Sequence, residues 1–307
     1  INDSVGFSIL FIEINSDNMD LFYYVQFEYA KLDIKISFND SQNIIGFFFI
    51  PHKEFLKQER KGEDLNILSD NIQLKGTLLF PNEVKFKKIV IFVQGSGPQD
   101  RDATLFENKP FKDIAENLYE AGIASYRFDK RTYSNPLSFN IKSTIDDEVT
   151  NDVLNIINFI IKDNRFKGYE IILLGHSLGG YLLPRIYNRT KHVSKLICLA
   201  GNSRPLDKLI IEQLEYLYEI DPSEELQMEL AKFKEQVEFL NSQEFNVQSP
   251  KEKLPFNMSA YYWKSLLDYN LIKETENIKI PFMVVQGERD YQVSMRDFEF
   301  WKQVLNN

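Results

Sequence analysis

A serine stands between glycines in Gly175-His176-Ser177-Leu178-Gly179, with Gly180 directly behind. The apolar run Ile171 to Leu174 reads as a short buried strand leading into it, and Leu178, Leu182, Leu183 and Ile186 follow at helical spacing. A serine at the tip of a tight strand-to-helix turn must adopt a strained backbone, so the residues two before and two after it must lack bulk. Chance Gly-x-Ser-x-Gly spacing is expected in roughly a few per cent of chains of this length. The strand before and the helix after single this copy out, and Ser177 is the candidate nucleophile for acyl transfer.

Three other segments carry polar residues at the ends of expected strands, where open parallel sheets place their sites. Gln94-Gly95-Ser96-Gly97-Pro98-Gln99 follows the strand Ile89 to Val93. Its small residues let backbone N–H groups approach a developing oxyanion, and the N–H groups of Ser96 and Leu178 are assigned to that hole. The other reading of this segment is a plain Gly-Pro turn. Next, Asp129-Lys130-Arg131 follows the strand Ile123 to Phe128 and joins Asp100, Arg101 and Asp102 in an alternating charge cluster. A salt-bridge lattice is the first reading of that cluster; substrate contact by Arg101, Asp102 or Arg131 is the second. Last, Gly287-Glu288-Arg289-Asp290 follows the strand Ile280 to Gln286. A carboxylate there suits the acid of a catalytic triad, with Asp290 favoured over Glu288.

The elements that must position these groups follow from the pattern of the chain. With 307 residues and 43% hydrophobic content, one large α/β domain with a smaller appendage is expected. Residues 1–55 form a β-rich accessory segment with strand-like runs at Leu21 to Ala30, Leu32 to Phe38 and Ile44 to Ile50, and a turn at Asn39 to Asn43. Lys57 to Asp64 is a charged linker, and residues 62–307 alternate strands with helices. That alternation predicts a mostly parallel, doubly wound sheet covered on both faces. A helix starting near Ser143 carries Asp146, Asp147 and Glu148 in its first turn, where the helix dipole favours acids.

A helical insertion spans about 205–275. Its second helix, Pro222 to Leu240, is expected to open with Asp221 as N-cap, proline at the first position and Glu224 in the capping box. The stripe Leu226, Leu230, Phe233, Val237 and Leu240 either packs on the body or forms an apolar acyl-binding wall; the two readings are compatible.

The net charge of −9 argues against a nucleic-acid partner. No apolar stretch reaches membrane-spanning length. Cys198 is alone, so no disulfide forms within the chain. No Cys/His ligand spacing and no phosphate-cradling loop is present, so neither metal nor organic cofactor is expected. The chain starts at Ile1, which leaves compartment and leader open, and oligomeric state is equally open.

Taken together, Gly95-Ser96-Gly97-Pro98 with Asp100-Arg101-Asp102, Asp129-Lys130-Arg131-Thr132, Gly175 to Gly180, and Gly287 to Val293 resemble a bacterial branch of the α/β-hydrolase superfamily. That branch comprises esterases related to dienelactone hydrolases and acyl-peptidases. The resemblance covers roughly residues 62–307. It implies a serine esterase acting on short-chain acyl esters, with Ser177 as nucleophile and Asp290 as acid. More weakly, the first 50 residues resemble the tail of an accessory domain.

One departure stands out. The family's general base is a histidine beyond the acid in chain order, and Tyr291 to Asn307 contain none. His176 lies within the turn that carries the serine and is expected to point away from it. His192 precedes the strand Lys195 to Ala200, roughly a strand length of about 17–20 Å from the site. His52 falls in the N-terminal linker. The simplest expectation is a histidine beyond Asn307; the other is an inactive hydrolase fold serving as a binding protein. An aminopeptidase or acyl-peptidase using the same site is the second enzymatic reading.

Overall fold

In the computed structural model, residues 7–14, 18–26, 31–39, 43–51 and 61–305 are described. The chain forms two compact units, residues 1–60 and 61–307. The first is a four-stranded antiparallel meander: β1 (Phe7–Ile14), β2 (Asn18–Gln26), β3 (Lys31–Asn39) and β4 (Ile44–Pro51) pair in chain order. Strand β1 has no counterpart among the strand-like runs expected from sequence. Of the expected turn, the Asn39 N–H donates to the Asn43 carbonyl at 3.0 Å and the Asn43 N–H to Asn39 Oδ1 at 3.0 Å. Ala30 and His52 lie outside the described residues.

The second unit begins with β5 (Glu63–Asp64), β6 (Ile67–Ser69), β7 (Ile72–Leu74), β8 (Gly76–Leu79) and β9 (Lys88–Val93). Then follow α1 (Pro110–Glu120), β10 (Ala124–Phe128), α2 (Arg131–Ser134), a π-helical turn at Asp146–Thr150 and α3 (Asn151–Lys162). Next come β11 (Glu170–His176), α4 (Leu178–Tyr181), α5 (Leu183–Thr190) and β12 (Val193–Leu199). The inserted helices are α6 (Leu206–Ile220), α7 (Glu224–Leu240), α8 (Ala260–Leu267) and α9 (Leu271–Thr275), before β13 (Phe282–Val285) and α10 (Met295–Leu305). Among the described residues no helix is long and apolar enough to cross a membrane.

Seven strands form one sheet in the order β13-β12-β11-β9-β10-β8-β5. The five from β13 to β10 run parallel, and β8 and β5 complete the edge antiparallel. This is the α/β, mostly parallel sheet expected from sequence. Strand alternation decides which side chain reaches which face. Ile89, Ile91 and Val93 of β9 join Ile171 and Leu173 of β11 in one core, under α3, α5 and Trp301 of α10. Val90 and Phe92 join Ile172 and Leu174 in a second core, against Phe111 and Ala115 of α1. Each such fully buried side chain contributes about 1.5–3 kcal/mol, so burial on both faces explains why these strands read as unbroken apolar runs.

Two local expectations are corrected. Helix α7 is capped by Ser223, whose Oγ accepts the Leu226 N–H at 3.3 Å, rather than by Asp221. A serine oxygen in extended backbone satisfies the free amide there, so the helix starts after Pro222 instead of on it. The helix expected near Ser143 starts as a π-helical turn and becomes α-helical only at Asn151.

Candidate active site

The order of strands reverses at β9: the chain goes to β10 on one side, then crosses back to β11 on the other. The crevice at the carboxyl ends of β9 and β11 is therefore a topological switch point. Val93 stands opposite Gly175 in the parallel register, so the turn after β11 and the segment after β9 meet there.

Ser177 occupies that turn with φ +52° and ψ −122°, a conformation that costs an L-residue of order 1–3 kcal/mol. Close contacts enforce it. A Cβ on Gly175 would lie 2.5 Å from the Gly179 carbonyl oxygen, and one on Gly179 would collide with the Val93 and Gln94 carbonyls. The Ser177 N–H donates to the Leu199 carbonyl of β12 at 3.0 Å, and its carbonyl accepts the Tyr181 N–H at 2.9 Å. Ser177 thereby closes the start of the following helix while its side chain faces a cavity of about 570 Å³.

Ser96 and Leu178 line the same cavity. Neither backbone N–H has an acceptor among the described residues. The apolar wall comes from Pro98, Pro136, Leu206, Leu209, Ile210 and Met258. The insertion thus lines the cavity through α6 and through Phe256, Met258 and Tyr262. On the α7 stripe, Phe233 and Val237 meet Ile210 and Leu214 of α6, and Leu240 joins the core of the body.

Asp290 follows β13. Its Oδ1 accepts the N–H groups of Gln292 (2.9 Å) and Val293 (3.1 Å), and its Oδ2 accepts Gln286 Nε2 (3.2 Å). Gln292 and Val293 line the cavity, whereas Glu288 is exposed. His176 packs edge-to-face on Phe111, with ring centroids 6.4 Å apart. Burial lowers its pKa and the charge of Asp290 opposes that shift, leaving a net drop that favours neutral imidazole. His192 is exposed just ahead of β12, at the end away from Ser177.

Arg101, Asp102 and Arg131 are not in the cavity wall. Arg101 makes a forked pair with Asp129 (2.9 and 2.7 Å) and donates to Thr77 at 2.8 Å. Asp102 pairs with buried Arg127, and Arg131 pairs with Asp152 and Asp70. These are the contacts of a salt-bridge lattice tying β10 to its neighbours. A guanidinium forked on one carboxylate has spent its directional donors and has little left for a ligand.

Two residues of the site were hidden in the sequence. Glu148, read there as a dipole-facing acid, is 3% exposed, lines the cavity and pairs with Lys130. Tyr262 of α8 donates its hydroxyl to the other oxygen of the same carboxylate.

Comparison with known proteins bears on the family and the fold. Residues 108–304 match the model of the family described as serine aminopeptidase, S33. Esterase EstD of Thermotoga maritima is 31% identical over 249 residues, which is 81% of this chain and 56% of that protein. The chain thus spans little more than half the length of this curated relative. Among solved structures, a Pyrococcus furiosus esterase superposes with TM-score 0.55 at 17% identity, covering 80% of this chain and 77% of that one. Est1E from Butyrivibrio proteoclasticus gives 0.54 at 16%, covering 80% and 86%. The acylaminoacyl peptidase of Pyrococcus horikoshii gives 0.52 at 15%, covering 97% of this chain and 43% of its own. At these identities the structures speak for the fold alone, while the family match spans most of the sheet and the whole insertion. This chain belongs to the serine aminopeptidase S33 family of the α/β-hydrolase superfamily.

Proposed function

We propose that the protein is a serine hydrolase that cleaves carboxylic esters of short acyl chains through an acyl-enzyme on Ser177. The observation that carries this reading is the strained Ser177, held at a cavity lined also by Ser96 and Leu178, whose N–H groups have no acceptor among the described residues. Ser177 Oγ attacks the acyl carbonyl, and the Ser96 and Leu178 N–H groups hold the oxygen as it becomes negative. Asp290 orients a histidine general base, which takes the serine proton and returns it to the leaving alcohol. Water then attacks the acyl-enzyme by the reverse sequence.

The apolar α6 wall supports an uncharged acyl group as the bound portion. Esterase EstD, the curated relative, supports an ester over a peptide. The family's description keeps aminopeptidase activity as the second reading. Against it stands the lining carboxylate, Glu148, which is already paired with Lys130 and so poorly placed to hold a substrate ammonium.

The test compares p-nitrophenyl acetate and butyrate with aminoacyl anilides, using the protein and its Ser177→Ala variant. Ester cleavage that exceeds anilide cleavage and vanishes with Ser177→Ala is expected, together with labelling of Ser177 by a fluorophosphonate. Dominant anilide cleavage would select the aminopeptidase reading. No labelling and no turnover would select a binding protein on a hydrolase fold.

A further inference from the structure

Lys130 is 2% exposed, and its ammonium has three protons to place without water. They go to the Gly95 carbonyl at 2.5 Å, the Gly97 carbonyl at 3.0 Å and the Glu148 carboxylate. Glu148 Oε1 also accepts the Gly97 N–H at 2.8 Å, and Oε2 accepts the Tyr262 hydroxyl. One buried ion pair therefore grips the backbone on both sides of Ser96.

The peptide unit explains what that grip does. The Gly95 carbonyl and the Ser96 N–H belong to a single planar, trans peptide, so they point in opposite directions. Holding the carbonyl on the Lys130 side turns the Ser96 N–H to the other side. Gly95 and Gly97 flank it, Gly97 at φ +76°, and glycines alone would leave that peptide free to rotate. Glu148 reaches the pair from the π-helical turn, a widened turn of a kind often found at functional sites. Burying two charges is a poor route to stability, since an apolar pair of similar size is often as stable or more so. The pair has another use.

On the footing that Ser177 and the Ser96 amide act as described above, we propose that Lys130 and Glu148 are positioning residues of the oxyanion hole. They fix the Gly95–Ser96 peptide so that its N–H is aimed at the oxygen of the tetrahedral intermediate before substrate arrives. Neither side chain touches the reacting atoms.

The test compares the parent protein with Lys130→Met, the double variant Lys130→Met/Glu148→Leu and Ser177→Ala. For each, kcat and KM on p-nitrophenyl butyrate, the Ki of an alkyl trifluoromethyl ketone and the melting temperature are measured. Ser177 Oγ adds to the ketone carbon, its proton passes to the general base, and the ketone oxygen becomes an anion in the hole. Lys130→Met leaves Glu148 buried and unpaired, so it is expected to lower both melting temperature and kcat. The double variant is expected to regain the melting temperature while kcat stays about 10²-fold down, as for loss of one oxyanion donor. Its KM should stay within about twofold and its Ki should weaken by the same factor as kcat, the signature of an interaction made only in the transition state. A folded double variant with kcat and Ki within about threefold of the parent overturns the positioning role alone. Full activity in Ser177→Ala overturns the serine reading and the inference with it.

Discussion

Gly95 and Ser177 face each other across the ends of adjacent strands, so closely that a Cβ on Gly95 would lie 3.2 Å from the Ser177 Cβ. The parallel register of β9 and β11 sets this approach, because Val93 opposite Gly175 brings the residues two further along each strand together. Loop and nucleophile are thus held against each other at the ends of adjacent strands.

Ser177 at φ +52° is strained for a side chain but not for glycine. Ser177→Gly should therefore raise the stability of the fold by about 1 kcal/mol while abolishing turnover. Ser177→Ala should abolish turnover with little change in stability, since the strain remains. Urea melts of the three proteins check this; a Gly variant no more stable than the Ala variant would remove the argument from strain.

Asp290 accepts two backbone N–H groups and a glutamine, which holds its carboxylate in a single orientation beside the cavity. Asp290→Asn should lower kcat by roughly 10⁴-fold, through loss of the correct imidazole tautomer. Glu288→Gln, at an exposed position, should cost far less. Steady-state kinetics on one ester decide between the two acids, and the reverse ranking would move the assignment to Glu288.

Asp146 links the π-helical turn to α5. Arg185 donates to both of its oxygens at 2.8 Å, and Arg189 donates at 2.9 Å. Burial alone would raise its pKa, but these bonds outweigh it and hold the carboxyl at about 2, below its ordinary 3.8. A depressed carboxyl pKa contributes stability that is complete above the unfolded value and is lost as pH falls toward the folded one. Arg185→Gln should thus cost about 1–2 kcal/mol at pH 6, and the deficit should shrink between pH 4 and 2. Denaturant melts at several pH values check it; a deficit independent of pH would assign the effect to packing.

Leu209 is buried in the α6 wall of the cavity. Leu209→Ala should enlarge the acyl site and raise the ratio of hexanoate to acetate kcat/KM by about tenfold. Equal effects on both esters would place the acyl group elsewhere.

The glycines around Ser177 were legible in the sequence because their cause is local. A turn in which Gly175 meets Gly179, and Gly179 meets the end of β9, admits no Cβ, so the constraint falls on a few contiguous residues. The sheet strands were legible for a similar reason: burial on both faces produces unbroken apolar runs. The salt-bridge reading of the charge cluster also agreed with the structure, since neighbouring opposite charges near strand ends find each other.

What escaped the sequence depended on distant partners. Asp146, Asp147 and Glu148 look alike as three acids opening a helix. Yet Asp146 pairs with Arg185, and Glu148 turns inward to Lys130 and Tyr262. The insertion showed the same limit: helical spacing identified apolar faces on α7 but not that α7 would back α6, while α6 and the segment from Phe256 to Tyr262 line the cavity.

By itself, the sequence determined the α/β sheet, the strand-turn-helix around Ser177 and the resemblance to the α/β hydrolases, because periodicity and steric exclusion act over a few residues. Tertiary structure decided which acid faces the cavity, which inserted segments line it and which cations are already paired. Those outcomes depend on side chains far apart in the chain competing for a small number of buried positions, and no local pattern records who wins.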